Sequence, residues 1–357
     1  MRKPTIGTIG SHSAEEIGMS ARSFGFPTVV VCQKGREKLY THYNKHLYDE
    51  IIVLDDFKQI ISDEIQEKLA ELGAIWIPNR SFSVYVGYEN IEKHFRIPIY
   101  GNRNILRVEE RGVPRDQYWL LKESGIRIPE AFTPNNIDRL AIVKVQQKDN
   151  PLERAFFYAN TPEDFHNIAE SLIEKGAIGR DDLKTATIEE FIVAPRFNSN
   201  FQAYGMSDTY GELDFVGFDD RIQTNLTGLL NLPAQDQLKL NLIPMNEEIG
   251  HFGITMRESK KPLVYDAAER LLNGIKEHFP PKMIGLFSLQ GAMTEDSEFV
   301  VFDLSPRVPG APCVGPTSPE MRRLTLKMKQ LIQSPLDLCM IDIGNAIEEG
   351  MLGEITT

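Results

Sequence analysis

Two stretches in the last third of the chain alternate hydrophobic and polar residues with the period of a β-strand. The first is MIGLFSLQGAM (Met283 to Met293) and the second is FVVFDLSPR (Phe299 to Arg307), with a polar turn between them. This pattern predicts a β-hairpin with one apolar face. The apolar positions are Phe287, Leu289, Phe302 and Leu304, and the polar positions are Ser288, Gln290, Asp303, Ser305 and Arg307. Oxygen ligands beside a guanidinium suit a magnesium–phosphate group, although a solvated sheet face has the same pattern.

The first third of the chain alternates predicted strands with predicted helices. Buried-strand patterns occur in PTIGTIG, PTVVVCQ, EIIVLDDF and AIWIPN, with helical patterns between them, which is typical of a parallel, Rossmann-like sheet. Ligands bind such sheets beyond the carboxyl ends of the strands, so we expect one crevice lined by residues 10–12 and 79–81. Gly7 and Gly10 do not complete a dinucleotide fingerprint, which favours a small phosphorylated ligand. His12 either has a helix-capping or surface role or contacts that ligand.

The middle of the chain contains a lysine whose position needs an explanation. Lys144 interrupts the strand pattern RLAIVKVQQ, on the face opposite Val143 and Val145. Because an unpaired buried charge is costly, Lys144 either points into a nucleotide cleft or extends its head to solvent at the strand end. Further on, RFNSNFQAYG alternates strictly, and ELDFVGFDDR is its predicted antiparallel partner. The segment PLDLCMIDIGNAIEEGMLGEITT is a predicted amphipathic helix, docked on its own domain or on a neighbour.

Composition and charge narrow the class of function. The 357 residues are 41% hydrophobic and 25% charged, as in ordinary globular proteins, and are too many for one small core. A net charge of −12 argues against a broad nucleic-acid surface but leaves room for a local cationic pocket. The sequence predicts neither a membrane span nor a signal peptide. Three widely spaced cysteines predict a reducing cytoplasm without disulfides.

Taken in order, the motifs resemble those of the ATP-grasp superfamily. Within it, the match is to the archaeal formate-dependent 5-formaminoimidazole-4-carboxamide ribonucleotide (FAICAR) synthetase family. The carrying motifs are GSHSA from Gly10, PNRSFSVYVG from Pro78, GNRNILR from Gly101, MRES from Met256, and the hairpin sequences IGLFSLQ and FVVFDLSPR. They span nearly the whole chain in one order, which makes the resemblance specific.

The resemblance implies an α/β fold, α+β in the second half, in which a Rossmann-like domain precedes an ATP-grasp domain. The implied domains cover residues 1–112 and 113–357. Within the second domain, a small lid-like subdomain would cover about 135–193 and a larger subdomain about 194–357.

The resemblance also implies a cytoplasmic ligase of IMP biosynthesis. Members of the family join formate to the 5-amino group of 5-aminoimidazole-4-carboxamide ribonucleotide (AICAR), through formyl phosphate, while ATP is split to ADP and phosphate. The implied cofactors are ATP and Mg²⁺, with Mn²⁺ as an alternative, and the implied partners are an AICAR-like ribonucleotide and formate. Neither nucleic acid nor a membrane is expected as a partner. Small cytosolic synthetases often form symmetric homo-oligomers.

Roles for individual residues follow from the same resemblance. Arg307 and Lys144 are expected to be catalytic, His12, Ser81 and His251 to contact the ribonucleotide, Lys122, Lys144, Glu190, Val193 and Gln223 to hold ATP, and Gln290 and Asp303 to bind the metal. Such chemistry depends on positioning and charge neutralisation rather than on a protein nucleophile.

Four features depart from the family pattern. The loop from Val145 to Phe157 contains no glycine, and a glycine-free loop cannot form the same tight phosphate cradle. Gln223, His251 and Asp303 stand where the family is expected to have glutamate, asparagine and glutamate. The departures predict a diverged subgroup or a paralogue. Two alternatives therefore stay open, namely an ATP-grasp carboxylate–amine ligase with another substrate pair and a non-catalytic nucleotide-binding paralogue.

Overall fold

A computed structural model describes residues 3–146, 154–237, 239–240, 248–310 and 318–357. The strands are β1 (Thr5–Ile9), β2 (Thr28–Gln33), β3 (Glu50–Leu54), β4 (Ala74–Trp76), β5 (Ala131–Phe132), β6 (Ala141–Gln146), β7 (Arg154–Ala159), β8 (Thr187–Glu190), β9 (Arg196–Ala203), β10 (Leu213–Gln223), β11 (Glu248–Ile254), β12 (Gly285–Met293) and β13 (Phe299–Ser305). The helices are α1 (Ala14–Ser23), α2 (Asp63–Glu71), α3 (Tyr88–Lys93), α4 (Gln117–Glu123), α5 (Pro162–Glu174), α6 (Ser207–Tyr210), α7 (Leu226–Leu230), α8 (Ala234–Gln237), α9 (Lys261–His278), α10 (Pro319–Met328) and α11 (Pro335–Glu348). Most of the predicted glycine-free loop lies outside the described residues. No helix in the described part of the chain is long and apolar enough to span a membrane.

The first sheet has the parallel topology that the sequence pattern predicts. Its strand order is β3-β2-β1-β4, and every pairing is parallel. Ile9, Val31 and Trp76 are fully buried and belong to one hydrophobic cluster of this sheet. Gly7 of β1 lies beside Trp76 of β4, and a Cβ atom at Gly7 would come within 2.8 Å of the indole ring. The parallel order directs the carboxyl ends of all four strands to one edge.

Two antiparallel sheets form the second half of the fold. The larger has the order β11-β10-β9-β12-β13, and the smaller has the order β5-β8-β6-β7. The predicted pairing of β9 with β10 and the predicted β12–β13 hairpin are both confirmed. Along β9, Phe197 and Phe201 enter the core, whereas Asn198 and Asn200 bond to a carboxylate on the opposite face. One face of the larger sheet is therefore apolar and the other is polar.

The predicted alternation of the hairpin fails at one residue. A β-bulge shifts the register between Gln290 and Gly291, so that Gln290 pairs with Asp303 but Gly291 pairs with Val301. Val301, rather than the predicted Phe302, therefore joins the core. A bulge inserts one extra residue into a strand and locally disrupts its ladder. Here it leaves the Phe302 carbonyl oxygen to accept hydrogen bonds from side chains outside the sheet.

Helix α11 connects the two halves of the chain. It packs against α1 of the first sheet and against β9 and β12 of the larger antiparallel sheet. On the helix, Asp342 accepts hydrogen bonds from the backbone N–H groups of Gly205 and Met206 at 2.8 and 2.9 Å and from the Tyr100 hydroxyl at 2.9 Å. The predicted docking of this helix on its own domain is thus incomplete, because it contacts both halves.

We expect Asp342→Ala to lower the free energy of unfolding by about 3 kcal/mol, because it leaves buried donors without an acceptor. Urea denaturation would measure the change. The control is Glu348→Ala, an exposed position on the same helix, where a change within about 0.5 kcal/mol is expected. Equal effects of the two substitutions would contradict this account.

Candidate functional site

The loops that follow β1 and β4 meet at the carboxyl edge of the first sheet, as predicted. Asn79 holds them together, because its side-chain amide donates to the carbonyl oxygens of Ile9 and Ser11 at 3.0 and 2.9 Å. The Asn79 Oδ1 atom accepts from the backbone N–H of Phe82 at 3.0 Å. Ser81 lies buried between these contacts. Since a fully bonded buried amide rigidifies its surroundings, both loops have fixed positions.

The segment after the hairpin crosses the same two loops. The backbone N–H of Val308 donates to the carbonyl oxygen of Pro78 at 3.2 Å. Two residues later, Gly310 passes so close to His12 that a Cβ atom there would lie 2.2 Å from the imidazole Cε1 and 3.0 Å from a Glu248 carboxylate oxygen. Glycine at 310 therefore permits three separate parts of the chain to meet beside His12.

A buried ion triad lies at this junction. The Glu109 Oε1 atom accepts from Arg80 Nη1 at 2.8 Å and from Arg307 Nη2 at 2.6 Å. Arg307 also donates to the Val308 carbonyl oxygen at 3.0 Å. The side chains of Glu109 and Arg307 are each 6% exposed, whereas that of Arg80 is 41% exposed. The predicted catalytic residue Arg307 is thus enclosed, and Arg80 is the guanidinium that reaches the surface of the cleft.

The predicted metal ligands lie side by side on the hairpin. Gln290 and Asp303 are directly paired residues of β12 and β13. Asp303 accepts from Arg111 Nη2 at 3.1 Å. Burial alone would raise the pKa of Asp303, but the charges of Arg111 and Arg221 lower it. The Asp303 carboxylate therefore stays ionised within a cationic environment.

His251 is held between two carboxylates. Its Nδ1 atom lies 2.6 Å from Asp219 Oδ2, and its Nε2 atom lies 2.7 Å from Glu248 Oε1. Asn198 and Asn200 donate to the same Asp219 carboxylate at 2.7 and 2.6 Å. Burial by itself would lower the pKa of His251, but the two carboxylates raise it to about 9. His251 is consequently an imidazolium at neutral pH, and both of its N–H groups are already bonded.

His12, in contrast to His251, is neutral at pH 7. Burial and then the nearby Arg307 guanidinium lower the pKa of His12 to about 4. Glu248 opposes this shift, and its own pKa is lowered by the hydrogen bond from His251 and the charge of Arg221 despite burial. At neutral pH the site therefore contains a neutral imidazole beside a guanidinium, so His12 has a ring nitrogen that can accept a hydrogen bond.

A second group of side chains links the smaller antiparallel sheet to the hairpin. Lys144, on the polar face of β6, forms an ion pair with the buried Glu189 of β8. The other oxygen of Glu189 accepts from the Tyr118 hydroxyl at 3.0 Å, and this hydroxyl lies 3.3 Å from the carbonyl oxygen of Phe302 at the bulge. Arg111 donates to the same carbonyl at 2.8 Å. Lys144 is thus paired with a buried carboxylate, and its place in a nucleotide cleft stays a prediction.

Comparison with known proteins shows the family to which the chain belongs. Two family models match the chain, a "Protein of unknown function (DUF1246)" at residues 6–132 and a "Domain of unknown function (DUF1297)" at residues 164–357. The 5-formaminoimidazole-4-carboxamide-1-(beta)-D-ribofuranosyl 5'-monophosphate synthetase of Methanothermobacter thermautotrophicus is 38% identical over 308 residues, which are 86% of this chain and 82% of that protein. The chain belongs to this synthetase family. The family predicted from the sequence motifs is therefore confirmed.

Solved structures confirm the predicted fold of this chain. An IMP biosynthesis protein PurP from Thermococcus kodakaraensis superimposes with a TM-score of 0.70 at 22% identity, over 99% of this chain and 100% of that one. The ADP complex of an N5-carboxyaminoimidazole ribonucleotide synthetase superimposes with a TM-score of 0.57 at 14% identity, over 87% of this chain and 72% of that one. Both comparisons support an ATP-grasp fold. The predicted domain boundaries stay predictions.

Several predicted site residues of this chain lie apart from the ion triad, the His251 cluster and the Lys144 pair. Lys122 is exposed on α4, where its backbone carbonyl oxygen accepts from the N–H of Gly125 at 2.9 Å. Glu190 accepts both hydrogen bonds of Arg127, on the other side of β8 from Glu189. The remaining two are Val193, which is exposed, and Gln223, which ends β10 and pairs with Glu248 of β11. The roles of these residues stay predictions.

Sequence reasoning missed most of the partners that fix this site. These are Glu109, Arg111, Glu189, Asp219, Arg221 and Glu248. Arg80 lies in the predicted crevice, and Glu189 directly precedes the predicted site residue Glu190. The others lie in segments with no motif, and only their contacts reveal them.

The His251 cluster predicts a dependence of stability on pH. Because the pKa of His251 is raised from 6.5 to about 9, its contribution is complete below about pH 6.5 and is lost as the pH rises through about 9. We expect the difference in unfolding free energy between wild type and His251→Gln to shrink by about 2–3 kcal/mol between pH 6 and pH 10. Urea denaturation across this range tests it, with the exposed His46→Gln as control. If this difference in unfolding free energy stayed constant from pH 6 to pH 10, His251 would not be an imidazolium in the folded protein.

Proposed function

We propose that this chain is an ATP-dependent ligase that joins formate to the 5-amino group of AICAR. The observation that carries the proposal is its 38% identity, over 86% of its length, to a protein named for the product of that reaction. The geometry is compatible with it, because Arg80, Arg111 and Arg221 have partly exposed side chains and all lie close enough to Asp303 to lower the pKa of its carboxylate. Cationic side chains attract anionic substrates such as nucleotides and formate.

The proposed reaction suits a site without a protein nucleophile. Formate is a poor acyl donor because its oxygen is a poor leaving group. Transfer of the γ-phosphoryl group of ATP to a formate oxygen gives ADP and formyl phosphate. The amine of AICAR then attacks the formyl carbon, the carbon–oxygen bond to phosphate breaks, and the amine loses one proton, which yields FAICAR and phosphate. Positioning and charge neutralisation are sufficient for both steps.

The ribonucleotide is proposed to bind at the crevice of the first sheet. Ser81 and the neutral His12 offer uncharged polar groups there, next to the guanidinium of Arg80. His251 supports this crevice from β11 through Glu248. In the described state both nitrogens of His251 are bonded to carboxylates, so the proposed role of His251 is to hold Glu248 rather than to contact the substrate directly.

ATP is proposed to bind between the two antiparallel sheets. The ADP complex of an N5-carboxyaminoimidazole ribonucleotide synthetase, which superimposes on this chain with a TM-score of 0.57, supports adenine-nucleotide binding by this fold. Lys144 and its partner Glu189 lie on the face of the smaller sheet that turns toward the hairpin. Lys144 would bind the phosphates, with Lys122, Glu190, Val193 and Gln223 as the further predicted contacts. A cytoplasmic location and a homo-oligomeric state are part of the same proposal.

Gln290 and Asp303 fit a magnesium ion. They are neighbouring oxygen donors, and Mg²⁺ often takes one or two protein ligands together with substrate phosphates. The described residues contain no group of three or more histidine, cysteine or acidic side chains placed to hold a metal, so phosphate oxygens would complete the coordination. The ion would neutralise phosphate charge during transfer. Arg111, which bonds Asp303, would hold that carboxylate in place.

Release of ADP from Mg-ATP tests the proposed function. Purified protein would receive AICAR and formate singly and then together. We expect ADP only when both are present, in a 1:1 ratio with FAICAR. If ADP forms only with a different carboxylate or amine, the protein is a ligase but its substrates are not formate and AICAR. Absence of turnover, with nucleotide still bound in calorimetry, would favour the non-catalytic paralogue.

Lys144→Ala is expected to weaken ATP binding at least tenfold, since a charge-assisted contact to a phosphate contributes more than about 1.4 kcal/mol. Calorimetric titration with ATP measures the dissociation constant directly. The matched control is Lys184→Ala, an exposed lysine close to β8 that pairs with Asp181. An unchanged ATP affinity in Lys144→Ala would remove this residue from the proposed site.

A further inference from the structure

Glu109 connects two arginines that come from distant parts of the sequence. Arg80 follows β4 of the first sheet, and Arg307 follows β13 of the hairpin. Both guanidinium groups donate to a single oxygen of Glu109, at 2.8 and 2.6 Å. The second carboxylate oxygen of Glu109 and the Nε atom of Arg307 are buried and have no hydrogen-bond partner among the residues that the structure describes. The triad is therefore not a fully satisfied structural network, in which every buried polar atom has a partner.

The charges of the triad do not cancel. Two guanidinium groups share one carboxylate, which leaves one positive charge in excess. Two titratable neighbours are neutral at pH 7, since burial and Arg307 lower the pKa of His12 to about 4 while burial and Glu109 raise that of Tyr88 to about 12. The nearby Asp303 already bonds Arg111. An unbalanced charge at a partly desolvated site favours the binding of an anion.

Arg80 is the member of the triad that a ligand can reach. Its side chain is 41% exposed, compared with 6% for each of the other two. A guanidinium has five N–H donors, and the hydrogen bond to Glu109 takes one from Nη1. The remaining donors form a planar fork that matches the oxygens of a phosphate group. Ser81 follows directly in the chain, in the loop that the Asn79 side chain fixes.

We propose that Arg80 binds the 5′-phosphate of the ribonucleotide and that Glu109 is the positioning residue that aims it. The assignment rests on the proposed function for the identity of the ligand. Glu109 holds Arg80 in one orientation and keeps it from repelling Arg307. Arg307 in turn neutralises Glu109 from the enclosed side, so that the carboxylate does not repel the phosphate.

The inference predicts a specific change in kinetics. Glu109→Gln keeps the size of the side chain but removes its charge. We expect the KM for AICAR to rise at least about tenfold, while kcat and the KM values for ATP and formate change less than about threefold. Arg80→Ala is expected to raise the same KM, and adding Glu109→Gln to Arg80→Ala should raise it less than about twofold further. Fully additive losses would indicate a merely structural role for Glu109.

Binding measurements test the inference independently of turnover. Calorimetry would compare AICAR with the corresponding nucleoside, which lacks the phosphate. We expect wild type to prefer the nucleotide and both Arg80→Ala and Glu109→Gln to lose most of this preference. The matched control is Glu110→Gln, since Glu110 is the neighbouring acid and pairs with Arg107 at 3.6 Å. Its preference and its KM for AICAR should equal those of wild type.

The outcomes separate this inference from the proposed function. If the protein forms FAICAR but Arg80→Ala keeps the full preference for the nucleotide, the ligase stands and the role of Arg80 is wrong. If no FAICAR forms but the preference exists and disappears in both variants, the phosphate site stands without the reaction. A wild-type protein that binds nucleotide and nucleoside equally overturns the inference. Because Arg80 is the exposed member of the triad, Arg80→Ala decides the question even if Glu109→Gln is unstable.

Discussion

Beside the site, the two halves of the fold meet along a few residues of backbone, and the site depends on that contact. Val308 donates to Pro78, and Asn79 fixes the loop on the other side of the junction. The same contact brings together Arg80 and Arg307, whose guanidinium groups would repel each other in a buried place. Glu109 resolves the conflict by accepting from both. A buried charge of this kind needs its partner, so the geometry of the cleft and the docking of the halves are one constraint.

Two histidines beside the junction show how surroundings decide a charge state. Partial burial and then the Arg307 guanidinium lower the pKa of His12 to about 4, whereas His251 lies between two carboxylates, which raise its pKa to about 9. Burial disfavours the charged form in both cases, and only the neighbouring charges differ. The site therefore combines a neutral acceptor on the first sheet with a fixed cation on the larger sheet.

The departure at His251 has a structural explanation in its neighbours. The family resemblance leads us to expect asparagine at this position, and an asparagine side chain carries no charge. In this chain, Asp219 and Glu248 both bond to the imidazole ring. The Asp219 carboxylate also accepts hydrogen bonds from two asparagine side chains. The imidazolium keeps hydrogen bonds to both carboxylates while it neutralises part of their charge.

Sequence periodicity by itself determined the parallel first sheet, the pairing of β9 with β10, the hairpin and the placement of Lys144 opposite the core. It also placed Gln290 beside Asp303, because side chains alternate with a period of two along paired strands. The bulge at Phe302 escaped prediction, since residues 299–302 are all apolar and so do not show where the extra residue changes the phase of the alternation. Only the tertiary structure decided that Glu189 rather than Glu190 faces Lys144 and that Glu109 bonds Arg307, 198 positions away. Ion pairs form between groups that folding brings close in space, and spacing along the chain carries no information about them.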